Sequence, residues 1–412
     1  MNALTAALAR ADASPPTLGA SAIVRLFYRS EDPTPIWEAL KARALADPQD
    51  YAALLDMSLM LQSTGPQGLE VQRAALELQP VYRRIHGVGA GLRIFALMVA
   101  GDMAANTPLD FLLEGSDDAL YTVYVDARTP ALPDFGAFDV GFMAVGESPD
   151  NAPVLANIEK LLRGWQGPPI LNARPARIAE LTRDRLHREL ADEPSILTPA
   201  MRRTLRGDLE KVGMGADPIE IFGHGFPLIA RPIGGHGGEG MARLDAAADA
   251  ADYLLTQGDD VFYVSQFVDY ADRDGLYAKQ RVAFVDGQAF ACHCCVSTDW
   301  MVHYVKAKMG DNPRGRAIER AWMETFHADF AIRHARAFEA LNRCFELDYF
   351  VIDCAEAPDG RLLLFEADVI MLVHDMDPED VFPYKRAPMA RLMDAFRALL
   401  ARRAPAAARP AA

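Results

Sequence analysis

The stretch YFVIDCAEAPDGRLLLFEADV, residues 349–369, holds two apolar runs joined by a polar turn with an Asp-Gly pair, the pattern of a β-hairpin. Asp353 lies near the end of its first strand. Glu366 and Asp368 lie two apart on the second, so their side chains fall on the same face. Three carboxylates converging on one place repel each other unless a cation sits between them, and hard oxygen ligands of this kind suit Mg²⁺ or Mn²⁺. A plainer reading is a set of solvated hairpin acids.

Upstream, FPLIARPIGGHGGEGM, residues 226–241, carries Arg231 on a short apolar run and then Gly234, Gly235, Gly237, Gly238 and Gly240 around His236. Glycines let the backbone turn tightly and bring successive N–H groups against phosphate oxygens, and Arg231 adds a fixed positive charge. No Gly-Lys-Ser/Thr follows, so this is not a Walker A loop, nor is it the dinucleotide fingerprint. A flexible surface hairpin has the same composition. Residues 260–270, DVFYVSQFVDY, read as a strand entering a turn, and residues 276–297 read as a second hairpin turning at Asp286-Gly287.

The segment preceding these has another rhythm. LRIFALMV (92–99), LYTVYV (120–125) and FDVGFMAV (138–145) are short β-rich runs, with helical stretches between and after them, which gives a small parallel-sheet domain. The turns GDMAANTP (101–108) and GESPDNAP (146–153) follow the first and third strands, at the carboxyl ends where open α/β sheets bind ligands. Ordinary helix-capping connections are the alternative for any single residue there. Residues 173–191 read as one basic amphipathic helix. Residues 34–80 return apolar side chains at helical spacing, and 47–80 resembles one tetratricopeptide unit that must dock on its neighbours or offer a groove to a peptide.

Half of the 412 residues are apolar and 24% are charged, which excludes a disordered or membrane-embedded chain. Forty-two basic against fifty-seven acidic side chains leave a formal charge of -15, which opposes capture by nucleic acid or an anionic bilayer. The five cysteines crowd into the last third and read as reduced thiols in a cytoplasm. The first twenty residues lack the basic start and apolar run of a secretory signal and are expected to form a loose leader.

The order of these features resembles the ATP-grasp superfamily, in particular its glutathione synthetase and ribosomal-protein glutamate ligase branch, over about residues 90 to 395. The motifs that carry it are Arg185 in LTRDRL, Arg231 before the glycine loop, Gln266, Phe267 and Val268 as a hinge, Arg281 in KQRVAFVDG, and Asp353, Glu366 and Asp368. The resemblance implies an α/β fold with an N-terminal helical segment. Residues 1–88 would be leader and tetratricopeptide-like helices, 89–175 a Rossmann-like domain, 176–265 and 266–403 two ATP-grasp subdomains, and 404–412 a disordered tail. It further implies ATP at Arg185, Arg231, the glycine loop and the hinge, and Mg²⁺ or Mn²⁺ at the three carboxylates. Arg281 would act on the transferred phosphoryl group. Three departures stand out: arginines replace the usual phosphate lysines, Asp368 replaces an Asn, and Lys279 replaces the acid of a D-x-R strand.

The expected function is an ATP-dependent carboxylate–amine ligase acting through an acyl phosphate on a peptide or amino-acid substrate, as a homo-oligomer. A non-catalytic scaffold and a phosphotransferase without amide formation are the alternatives. His293, Trp300, His303 and Lys306, with Arg281, are the candidate substrate contacts. Zinc or thiol chemistry at Cys292, Cys294 and Cys295 is weighed against packing of small apolar thiols, which is the default.

Overall fold

The computed structural model describes residues 3–63, 65–235, 238–304 and 307–405. Five helices open the chain: α1 (Ala3–Ala13), α2 (Ala20–Tyr28), α3 (Thr34–Ala46), α4 (Tyr51–Gln62) and α5 (Gln67–Leu78). The expectation of a loose leader is overturned, because Leu4, Ala7, Leu8 and Ala11 of α1 are buried in the main hydrophobic core. Their i, i+3, i+4, i+7 spacing gives the helix one apolar stripe, and that stripe is what docks it. Helices α3 to α5 match the helical reading of residues 34–80. Ala52 and Leu55 of α4 pack with Tyr82, which ties this segment to the sheet that follows.

That first sheet has the order β1 (Val81–Ile85), β3 (Ala119–Tyr124), β2 (Arg93–Met98), β4 (Val140–Met143), β5 (Ile170–Leu171). Strands β2 to β5 are parallel, as continuous apolar runs buried on both faces require. Strand β1 adds an antiparallel edge from residues that the sequence reading left with the helices. The basic stretch 173–191 is not one helix but two, Pro175–Ile178 and Arg183–Leu190.

After a two-residue β6 (Ile196–Leu197), a second sheet runs β7 (Met201–Leu205), β10 (Val261–Gln266), β8 (Leu228–Pro232), β9 (Ala242–Leu244), antiparallel throughout. The glycine-rich segment is the connection from β8 to β9. The third sheet runs β12 (Gln288–Ser297), β11 (Tyr277–Val285), β13 (Tyr349–Glu356), β14 (Leu362–Asp368), β6. Both predicted hairpins are present. The first turns at Asp286 and Gly287, at φ 50° and 79°, the left-handed pair that an Asp-Gly turn supplies cheaply. One continuous core unites the first and third sheets, while the second sheet has its own, around Leu209, Leu228 and Phe262. No helix among the described residues is long and apolar enough to cross a membrane.

Candidate active site

A cavity of about 890 Å³ opens between the second and third sheets, and the loops after β2 and β4 close one side of it. Its floor comes from the third sheet. Glu366, Asp353, Arg281 and His293 oppose one another across β14, β13, β11 and β12, so their side chains share one face. The pairing slips by one residue just after Arg281 and just after Asp353, and such bulges re-aim the side chains beside them.

The three carboxylates lie in one wall of this cavity, but the charge that holds them there comes largely from the protein. Asp353, 1% exposed, is bound by Lys279 Nζ to Oδ2 at 2.9 Å, by Arg281 Nε to Oδ1 at 2.8 Å and by Arg281 Nη2 to Oδ2 at 3.1 Å. Burial alone would raise its carboxyl; the two cations prevail and hold it well below the usual carboxylate range. Glu366 is ion-paired to Arg183. Asp368 accepts the Val369 N–H at 2.6 Å and has no ion pair among the described residues; burial pushes its carboxyl up to about 7.

Opposite lie two guanidinium groups. Arg231 on β8 and Arg183 at the start of its helix both face the cavity. Burial, reinforced by the charge of Arg183, brings Arg231 down to about 9. One Arg231 N–H donates to the Gly235 carbonyl, while its buried Nε–H has no partner among the described residues. Arg183 has Glu366 as its counter-ion, whereas Arg231 has none among the described residues, which leaves this end of the cavity short of an anion.

Arg185, assigned to phosphate by sequence, is outside the cavity, bridging Glu180 at 2.9 Å and Glu189 at 2.8 Å. Arg183 stands in its place. Two residues along a helix is a rotation of roughly 200°, so only one arginine of the pair can face inward. Gly234 and Gly238 line the cavity, and His236 and Gly237 are outside the described residues. Gly235 and Gly240 belong to the loop without lining the wall. Gly240 has φ 62°, and a Cβ there would meet Pro232 at 2.8 Å. The Tyr253 hydroxyl donates to its carbonyl at 2.7 Å and anchors the loop's far end.

Gln266, Phe267 and Val268 line the cavity, with Phe267 beneath the Arg243 guanidinium at 4.2 Å and edge-on to Trp300 at 5.9 Å. The N–H groups of Gln266 and Phe267 are taken by the carbonyls of Ala200 and Pro227, both at 3.0 Å, and are therefore not available to a base. Trp300 and His303 also line the wall, and Lys306 is outside the described residues. His293 is not in the wall. It is buried against Tyr304 at 4.7 Å, and burial drives its imidazole well below its ordinary value, so it is neutral. Cys292, Cys294 and Cys295 are buried free thiols whose titration burial pushes upward, which agrees with packing rather than reactivity.

Sequence reasoning missed Glu147, whose carboxyl burial raises, and Leu69 of α5, both in the cavity wall. The turn GESPDNAP was a visible signal for the first; nothing in a helical apolar pattern distinguishes the second. Among the described residues no three His, Cys, Asp or Glu side chains are grouped to hold a metal ion by themselves. Mg²⁺, however, commonly takes one or two carboxylates together with substrate phosphates. Asp368, without a cationic partner, and the neighbouring Glu366 fit that role; Asp353, with both oxygens engaged, does not.

No family model matches the chain, and no curated protein sequence does. Among solved structures, the chain is similar to the D-alanine–D-alanine ligase of Bacillus anthracis complexed with ATP, at 12% identity and a TM-score of 0.42, covering 76% of this chain and 98% of that one. It is also similar to the RimK domain ATP-grasp protein of Sphaerobacter thermophilus, at 15% identity and a TM-score of 0.40, covering 75% and 99%. The D-alanine–D-alanine ligase of Coxiella burnetii aligns at 11% identity and a TM-score of 0.38, covering 65% and 70%.

Proposed function

We propose that this protein is an ATP-dependent ligase of the ATP-grasp kind, which activates a carboxylate as an acyl phosphate and transfers the acyl group to an amine. The observation that carries the reading is the pairing of Arg183 and Arg231, two cavity-facing guanidiniums whose charges oppose each other, with Asp368, which has no ion pair among the described residues, across from them. Such a set becomes balanced when a polyphosphate and a divalent cation enter together.

Arg231 and Arg183 would receive the phosphate chain, with the Arg231 Nε–H gaining the acceptor it lacks. Glu366 and Asp368 would hold Mg²⁺, which when bound draws charge from the phosphate oxygens. The apolar wall of Ile229, Val268 and Met201, with Phe267, suits a base. Arg281, fixed by Asp353 and by the Leu372 carbonyl at 2.9 Å, would offer its charge to an incoming carboxylate and the terminal phosphate. The cavity wall around Trp300 and His303 would take the substrates. Enclosure between two sheets would keep water from the acyl phosphate.

The test is ATP·Mg²⁺ binding by calorimetry with Arg231→Ala, followed by ADP formation with pools of carboxylates and amines. Loss of one charged phosphate contact should weaken nucleotide binding about 10- to 100-fold. Unchanged affinity in Arg231→Ala would remove the phosphate site. Steady ADP release without any amine requirement would instead indicate phosphotransfer.

A further inference from the structure

The floor of the cavity holds a carboxylate that is already neutralised. Asp353 is 1% exposed, and each of its oxygens faces a cation on the neighbouring strand: Nε of Arg281 on Oδ1, and Nη2 of Arg281 with Nζ of Lys279 on Oδ2. Lys279 and Arg281 stand two apart on β11, so both point to the same face, and Arg281 is directly opposite Asp353 in the register. These contacts follow from the strand pairing and do not depend on a flexible loop. A divalent ion at Asp353 would have to displace one cation and then sit beside both of them, which is electrostatically unfavourable. Asp368, on the next strand, is in the opposite condition, with no ion pair among the described residues.

We propose that Lys279 acts as a tethered cation at Asp353 in place of a metal ion, so that Asp353 is a positioning residue for Lys279 and Arg281 and the divalent requirement rests on Glu366 and Asp368. This rests on the nucleotide reading given above. Its chemical consequence is that part of the positive charge facing the bound anions is supplied permanently by a side chain. A lone fixed ammonium on that side also leaves room for fewer ions in the nucleotide complex.

The experiment is a Mn²⁺ titration followed by electron paramagnetic resonance, on the full chain with saturating non-hydrolysable ATP analogue. The parent should take up about one Mn²⁺ per nucleotide-bound chain, Lys279→Arg the same, and Lys279→Ala about two, because Asp353 Oδ2, left with only the 3.1 Å Arg281 contact, then has room for a metal. Glu366→Gln and Asp368→Asn should each weaken the parent's Mn²⁺ binding at least about tenfold. Circular dichroism and nucleotide affinity confirm that each variant is folded. Two ions in the parent, or one in Lys279→Ala, would overturn the inference while leaving the nucleotide reading intact. Failure of the parent to bind the analogue at all would instead overturn the nucleotide reading, and this inference with it.

Discussion

Asp353 shows how a residue's chemistry is set by what stands across the strand from it. Sequence spacing brings it into one wall with Glu366 and Asp368, and the structure agrees, yet Lys279 and Arg281 consume both of its oxygens. Replacing it by Asn leaves two cations, each 18% exposed, without their counter-charge. The expected loss is about 3 kcal/mol, the low end for breaking a buried pair because both cations keep some contact with the cavity. Urea unfolding checks it: an unchanged midpoint in Asp353→Asn would show that the pair is not stabilising. Asp368 behaves oppositely. Its carboxyl stands at about 7 in the folded chain against an ordinary 3.8, so the folded state holds the proton more tightly than the unfolded one. Its contribution is therefore complete below about pH 4 and is lost as pH rises through about 7. Without nucleotide or metal, Asp368→Asn should lose less stability than the parent between pH 5 and pH 8; parallel profiles would contradict the burial of this carboxyl. Arg183 marks the limit of reading at this scale. LTRDRL shows two arginines, and only the helical phase, fixed by a start at residue 183, decides which one faces the cavity.

Among the elements, those with strong local signals were legible. The Asp-Gly turns and alternating runs of 276–297 and 349–369 define both hairpins of the third sheet, and the apolar runs at 92–99, 120–125 and 138–145 define three of the parallel strands. Elements whose identity depends on distant partners were not. VYRRI, residues 81–85, is a strand only because β3 offers its edge, and its two arginines hide that from an alternation count. Helix α1 is ordered by tertiary packing, since Leu4 and Leu8 bury into the main core and Gln79 donates to the Ala7 carbonyl at 2.7 Å. Leu4→Ala and Leu8→Ala should therefore each cost about 2 kcal/mol, the low end for a core leucine because the helix lies at the margin of the core. A loose leader would show no change in the melting temperature of either variant. Helix α5 reaches the site through Gln72, which is 4% exposed and exchanges two 2.8 Å hydrogen bonds with the backbone of Gly101, beside the cavity. Gln72→Ala should leave that N–H and carbonyl unpaired and raise amide exchange in residues 100–105, while Gln72→Glu should retain only the N–H bond. Equal protection in all three proteins would detach the N-terminal helices from the site.

At the scale of the whole molecule, the cavity is bounded by two bodies with different cores. The first and third sheets share one hydrophobic core, whereas the second sheet, with Leu209, Val212, Phe222 and Leu254, packs around its own. A body with a separate core that touches the rest across a cleft can rotate without unpacking either side, because the cost of the motion falls on the cleft contacts alone. The cleft is lined by charges without an ion-pair partner on either side among the described residues: Arg231 comes from the second sheet and Asp368 from the third, beside the Arg183–Glu366 pair. A bound polyphosphate with its metal would attract both sides at once and favour the closed arrangement by its differential affinity for it. Addition of the non-hydrolysable ATP analogue with Mg²⁺ should therefore lower the radius of gyration in small-angle X-ray scattering and slow proteolysis in the connection from β8 to β9. At ligand one hundred times above Kd the chain should also gain about 2.7 kcal/mol against unfolding. Arg231→Ala should reduce the compaction as well as the affinity, since on the proposed reading the arginine would link the second sheet to the phosphates. Analogue binding with full affinity and no change in radius would show instead that the two bodies are held in the closed arrangement before the nucleotide arrives, and that Arg231 contributes binding without motion.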